Sequence, residues 1–349
     1  MVISERLIQA TRKAVRRSPR QTMERFRQVL FDPPTDLIID TSTRCNLQCR
    51  MCSLAAFGEW QDMSLETFRH LKDVLARVEH VSFTCSGEPT MNRYLADMIA
   101  LARSSSRGRL SLITNGCLLN ERLVRDLVDA GLDELTVSLD GATAETYEAI
   151  RRGARFSQTL DHIRLWNSER NRQRNGDRPG VLRIGFVAMK SNIVELPALV
   201  LLAHELGAEE VKVNGLEPYS EQCATEILYG ANAAEYGHHF ARAAQVAASV
   251  KVSLRLPELQ LGNKRRCWPF PHVGWDGTAR PCGALVYRRP FFFLGLQEEH
   301  LAVSLGDIHQ HGFLTIWRSA PYRAFRRQVR QNHFPRVCHR CLLSYGVIC

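Results

Sequence analysis

Short apolar runs alternate with longer amphipathic stretches over most of this chain. Six of the runs read as strands, at 37–40, 80–84, 110–114, 134–139, 182–189 and 211–214. Between them apolar residues recur at helical spacing in 65–78, 94–102, 121–130, 144–150 with 159–170, and 195–206. Strands that alternate with helices of this length build a parallel sheet with the helices outside it. The order predicts an α/β fold, a partial (β/α)6 TIM-like barrel over 34–256, with a further helix at 231–250 and one more strand at 251–256. Residues 1–33 read as an N-terminal helical extension whose second helix carries Met23, Phe26, Val29 and Leu30 on one stripe, suited to cap a barrel end. After Pro257 the alternation stops. Residues 257–349 are rich in Cys, Pro, Gly and aromatics and read as a small cysteine-rich module with little apolar sequence for a core of its own.

Eleven cysteines change the picture. Disulfide frameworks belong to small secreted chains, and the N-terminus shows no long apolar signal segment, so thiols at ligand spacing point to metal. Cys45, Cys49 and Cys52 form a C-x3-C-x2-C array directly after the first strand. Three thiolates do not close a structural zinc site, which takes four protein ligands. They can hold three irons of a [4Fe–4S] cluster and leave the fourth open to a small molecule. The other strands also end in polar loops: Cys85-Ser86-Gly87-Glu88-Pro89, Thr114-Asn115-Gly116, Ser138-Leu139-Asp140-Gly141, Lys190-Ser191-Asn192 and Asn214-Gly215-Leu216-Glu217. In βα barrels such loops converge on the active site. Glu217 and Tyr219 are candidates for substrate contact by that position alone. Cys85 and Cys117 read as small buried hydrophobes, and Cys223 receives no role.

At these residues the chain resembles the radical S-adenosylmethionine (SAM) superfamily. The resemblance implies that Cys45, Cys49 and Cys52 hold a [4Fe–4S] cluster whose fourth iron is chelated by SAM. It implies Met51 beside the adenine, where relatives carry a bulky apolar residue. It sets Ser86, Gly87 and Glu88 near the SAM ammonium, with Ser86 standing where the family has glycine. Ser138 and Asp140 fall toward the SAM ribose or carboxylate, Arg151 or Arg152 on that carboxylate, and Asn115 and Asn192 along the pocket.

The four thiols Cys267, Cys282, Cys338 and Cys341 stand in two pairs, with Asp276-Gly277 between the first two. Their spacing alone suits a zinc ribbon as well as a cluster. Beside the barrel motifs they resemble the SPASM auxiliary-cluster domain, in its shortened twitch form. That implies one auxiliary [4Fe–4S] cluster, with Cys349 spare or an alternative ligand.

The resemblance implies an enzyme that reductively cleaves SAM to a 5′-deoxyadenosyl radical and abstracts a substrate hydrogen. A net oxidation of a small molecule or peptide is expected, with an external one-electron reductant of flavodoxin or ferredoxin type. A radical SAM peptide maturase, epimerising or cross-linking with a separate partner, is the alternative. A non-catalytic iron–sulfur or zinc protein binding nucleic acid is the reading from another class. The net charge of +10 suits an anionic substrate, but no aromatic-interleaved nucleic-acid motif accompanies the arginine clusters. No run approaches the roughly 18 apolar residues of a membrane span, so a cytoplasmic protein without membrane contact is expected.

Overall fold

The computed structural model describes residues 34–53, 60–84, 86–172, 180–230, 233–261, 267 and 270–348. The extension 1–33, Cys85 and Cys349 lie outside these residues. Seven strands run parallel and in chain order: β1 (Asp36–Ile39), β2 (His80–Phe83), β3 (Arg109–Thr114), β4 (Glu134–Ser138), β5 (Val181–Ala188), β6 (Glu210–Gly215) and β7 (Ser253–Arg255). The expected helices lie between them. The stretch 65–78 differs, because it breaks into Leu65–Arg69 and Lys72–Leu75. Side-chain caps fix several starts, as Asn120 does for Glu121–Asp129 and Thr143 for Ala144–Ile150.

Alternation along the strands sorts the two faces. Leu37, Ile39, Val81, Phe83, Leu110, Leu112, Leu135, Val137, Ile184 and Val211 are buried under the helices in one core. The lumen face begins with charge. Arg109 pairs with Glu134 at 3.2 Å, Glu134 with Arg183, Arg183 with Glu210 at 3.1 Å, and Glu210 with Arg255 at 3.1 Å. These alternating charges tie β3 to β7, and Arg109, Glu134 and Glu210 each open their strand, away from the C-terminal ends.

The cysteine-rich module does not stand apart from the barrel. Its strands β8 (His272–Val273) and β9 (Thr278–Arg280) form a hairpin, and β8 pairs in parallel with β1. The turn uses Gly277 at φ +78, a left-handed conformation that favours glycine. A further strand, β12 (Gly306–Asp307), pairs with β9, so one ten-stranded sheet runs β12-β9-β8-β1-β2-β3-β4-β5-β6-β7. Val273, Ala279, Ile308, Phe313, Ile316, Trp317 and Tyr322 join the barrel's own core. The module, expected to have little apolar sequence for a core of its own, buries these residues in the barrel's core, and its own cluster is the small one of Leu285, Phe325 and Val329. Strands β10 (Arg289–Phe293) and β11 (Leu296–His300) form a separate antiparallel hairpin. Among the described residues no helix is long and apolar enough to cross a membrane.

Candidate active site at the barrel mouth

The loop after β1 carries Cys45, Cys49 and Cys52, all free thiols, with Cys52 exposed and the other two half-buried. Backbone bonds clamp this loop to the end of the helix Ala144–Ile150: Gln48 N donates to Arg152 O at 3.0 Å and Arg50 N to Ile150 O at 2.9 Å. Arg50 also bridges to Ser191 at 2.7 Å and Glu226 at 3.3 Å. Met51 packs with Ile150, Met189, Leu216 and Tyr229. Buried Cys223, to which the sequence assigned nothing, donates to the Arg50 carbonyl at 3.3 Å and braces the same loop.

The three thiols act on one another electrostatically, and burial raises both Cys45 and Cys49, the latter to about 12. Neutral thiols are preferred there until a cation arrives, and bound metal supplies one. Leu47 N points at Cys45 Sγ at 3.4 Å, a donor suited to a metal-bound sulfur. Among the described residues no three His, Cys, Asp or Glu side chains close on a single ion. A cube that takes each thiolate on a different iron does not require them to. On these grounds the donor set fits a cluster.

The SAM-pocket candidates divide by where they point. Gly87 packs against the cysteine loop so closely that a Cβ would lie 2.2 Å from Arg44 O. Glu88 is 2% exposed, and Thr90 N, Thr90 Oγ1, Thr114 Oγ1 and Asn115 N all donate to it. The carboxylate thereby ties the β2 and β3 loops together at the place where the resemblance expects the SAM ammonium. Asn115, so anchored, sends its amide to Asn46 at 2.8 Å and toward Cys45 Sγ at 3.9 Å. Ser86 and Ser138 are half-buried at the ends of β2 and β4.

Asp140 and Arg151 form a buried pair at 2.7 Å, with Arg151 Nη1 4.0 Å from Cys49 Sγ. Burial opposes the Arg151 charge, but Asp140 and Cys49 outweigh it and hold the guanidinium protonated. Arg152 is exposed and turned away, so the two neighbouring arginines separate cleanly. Asn192 is wholly buried, and its amide serves Met189 N, Asp140 O and Val187 O. It braces the β4 and β5 loops. Cys117 is half-buried near Thr159.

Cys267, Cys282, Cys338 and Cys341 line one small cavity with His300, Phe325 and Val329. Burial raises Cys282 and pushes Cys341 up to about 11, and Cys282 feels the other three. Ala284 N donates to Cys282 Sγ at 3.4 Å, and backbone groups of Leu343 and Ser344 favour the Cys341 thiolate. This second donor set fits a cluster for the same reasons as the first.

A polar bridge joins the two cysteine sets, and most of it escaped the sequence. Ser53, next to Cys52, accepts from Arg289 at 3.2 Å. Arg289 reaches Glu217 at 3.5 Å and lies 4.4 Å over the Tyr219 ring. Glu217 also bonds Tyr219 and, at 2.7 Å, His300, which lines the second cavity. Burial works against the Glu217 charge, but His300, Arg289 and Tyr219 outweigh it and draw the carboxyl down to about 2. Arg289 and His300 sit in a hairpin with no motif spacing. Only the positions of Glu217 and Tyr219 after β6 gave a signal.

Comparison with known families matches residues 39–174 to the radical SAM superfamily and residues 267–342 to SPASM, an iron–sulfur cluster-binding domain. The chain is 24% identical over 324 residues to the tungsten-containing aldehyde ferredoxin oxidoreductase cofactor-modifying protein of Pyrococcus furiosus, covering 88% of this chain and 87% of that one. It is 24% identical over 325 residues to the PqqA peptide cyclase of Granulibacter bethesdensis, covering 89% and 80%. Among solved structures, Streptococcus suis SuiB bound to precursor peptide SuiA superposes with a TM-score of 0.62 at 15% identity, over 94% of this chain and 74% of that one. The SPASM match decides between ribbon and cluster for the second cysteine set, in favour of iron and sulfur. A barrel opened at one edge, a three-cysteine loop at its mouth and a four-cysteine module sharing its sheet are thus one familiar design, and the chain belongs to the radical SAM superfamily, with a [4Fe–4S] cluster and SAM in its barrel and a C-terminal SPASM domain for auxiliary iron–sulfur chemistry.

Proposed function

We propose that the protein is a radical SAM oxidoreductase that removes two electrons from a small molecule or a peptide. The observation that carries this reading is the bridge Ser53–Arg289–Glu217–His300, which runs without a break from the first cysteine loop to the second cavity. Substrate held along it lies between the two cysteine sets. When bound, the first cluster supplies the electron that cleaves SAM, and the auxiliary cluster offers an acceptor for the substrate's second electron. Cys45, Cys49 and Cys52 would hold the first cluster and Cys267, Cys282, Cys338 and Cys341 the second. Arg151 would orient the SAM carboxylate, Met51 its adenine, and Ser86, Asn115 and Ser138 the remaining polar edges. The protein's own work is to fix these groups and keep water out. Arg289 gives the site a half-buried cation for an anionic substrate group.

The likeness to a PqqA peptide cyclase over 89% of the chain favours a second reading, a peptide maturase that couples side chains. One experiment tests both. Anaerobic holoenzyme, reduced with dithionite, is given SAM and an extract of its native host grown in D2O. Deuterium in 5′-deoxyadenosine reports abstraction from a labelled molecule. Protease treatment of the extract abolishes the label if the substrate is a peptide and leaves it if the substrate is a metabolite. An oxidised product lighter than the labelled substrate by one deuterium and one hydrogen supports dehydrogenation, and no deuterium under any condition refutes the proposal.

A further inference from the structure

Among the described residues three carboxylates are buried at the barrel mouth, and two of them are matched. Asp140 has Arg151, and Glu88 has its four donors. Asp40, at the end of β1, is 0% exposed and has far less. Its Oδ2 accepts from the Tyr287 hydroxyl at 2.8 Å, and its Oδ1 has no hydrogen-bond partner among the described residues.

The groups that face Asp40 come from every element around it. The Ser86 backbone N–H, Arg280 on β9 and Tyr287 favour its charge, and Asp276 in the β8–β9 turn opposes it. Arg280 is already paired with Asp276 at 3.2 Å. His272, across from Ile38 on β8, is kept neutral by burial, its value drawn down to about 3. Burial therefore dominates and pushes the Asp40 carboxyl up to about 7, in the range where a carboxylate both accepts and releases a proton at working pH. Among the described residues His272 Nδ1 and Arg280 Nε are also buried without hydrogen-bond partners. Orphaned polar atoms grouped at a barrel mouth suit a polar group that comes and goes.

We propose that Tyr287 and Asp40 form the proton relay of the oxidation, with Tyr287 touching the substrate and Asp40 receiving the proton behind it. The inference rests on the oxidative reading above. The hydrogen atom leaves a substrate carbon for the 5′-deoxyadenosyl radical. The heteroatom on that carbon then gives its proton to the Tyr287 oxygen while the Tyr287 proton passes to Asp40 Oδ2. The carbon–heteroatom double bond forms as the remaining electron leaves for a one-electron acceptor, the auxiliary iron–sulfur cluster. Tyr287 is half-buried and bonded directly to the carboxylate, so the proton has one hop to make.

The test uses anaerobic holoenzyme carrying Asp40→Asn, Asp40→Glu or Tyr287→Phe. Infrared difference spectra between about pH 5 and about pH 9 should show one carboxyl titrating near neutrality in the wild type. It should vanish in Asp40→Asn and move upward in Tyr287→Phe, which loses a bond to the charged form. With the deuterated extract as probe, label in 5′-deoxyadenosine should rise with pH through the same range. It should fall about a hundredfold in Asp40→Asn and in Tyr287→Phe, and recover in part in Asp40→Glu. A substrate radical that keeps its proton hands the deuterium back, which is why the label falls. No carboxyl titrating in that window, or undiminished label in both variants, overturns the relay. No label even in the wild type removes the oxidation and the relay with it, so the two failures are told apart by the wild type alone.

Discussion

Replacing Arg151 by leucine should be among the costliest single changes at the barrel mouth. The side chains of Arg151 and Asp140 are 9% and 0% exposed, and they meet at 2.7 Å. Leucine keeps much of the buried volume but strands the Asp140 charge with little beyond the Val187 N–H, which donates at 2.7 Å. Deleting one partner of a buried pair costs about 3–5 kcal/mol. At about 2–4 °C per kcal/mol for a domain of this size, the unfolding midpoint should drop by roughly 6–20 °C. The sign of the pH dependence follows from Asp140. Burial already raises its carboxyl above the ordinary 3.8, with Arg151 opposing, and the variant raises it further. A carboxyl whose folded value lies above its unfolded value binds its proton more tightly in the fold. The penalty is therefore absent below the unfolded value and grows as pH rises toward the folded one. Scanning fluorimetry of anaerobic protein should show the larger drop at about pH 8 and the smaller at about pH 5. Adding Asp140→Asn should restore most of the loss, because no charge then needs a partner. A drop of less than about 2 °C, or one independent of pH, would refute the reasoning.

Other substitutions read out neighbouring parts of the site. Arg152→Ala, on an exposed side chain, should move the midpoint by no more than about 0.5 kcal/mol equivalent; an effect as large as that of Arg151 would mean the wrong arginine has been assigned. Gly87→Ala drives a Cβ to 2.2 Å from Arg44 O, so iron analysis should show the first cluster lost with the auxiliary iron kept. The triple change of Cys45, Cys49 and Cys52 to Ala should abolish SAM cleavage and leave about four irons per chain with a cubane-type paramagnetic spectrum. One zinc and no iron in that protein would make the second cysteine set a structural ribbon.

The strand–helix rhythm was legible because each strand hides one apolar face under a helix and each helix one stripe against the sheet. The first cysteine loop was legible because ligand spacing is local. What sequence could not reach was every contact made by folding. Nothing local distinguishes Arg151 from Arg152, yet one carries a buried ion pair and the other faces solvent. The motif positions of Glu88 and Asn192 are visible in the sequence, but not the bonds by which they tie neighbouring loops together. Arg289 lies 236 residues from Ser53 and His300 lies 83 from Glu217, separations across which periodicity carries no information. The shared core was missed for the opposite reason: Phe313, Trp317 and Tyr322 were visible, but not the surface they would cover.

The pairing of β8 with β1 also sets a timetable for the newborn chain. β1 ends at Ile39, and the strand that covers its open edge begins at His272. At roughly 5–20 residues per second of synthesis, the ribosome needs on the order of tens of seconds to make the stretch between them. Through that interval the barrel strands can assemble, but β1 presents the backbone N–H groups of Ile38 and Asp40 on an unpaired edge, the kind that recruits other chains. The loop with Cys45, Cys49 and Cys52 follows that same edge strand. Release of a chain truncated near residue 257 should therefore yield aggregates that still take up iron at the first loop, and pelleting such a truncation with its iron counted would check it. Late closure gives metal loading a window before the C-terminal hairpin shuts it.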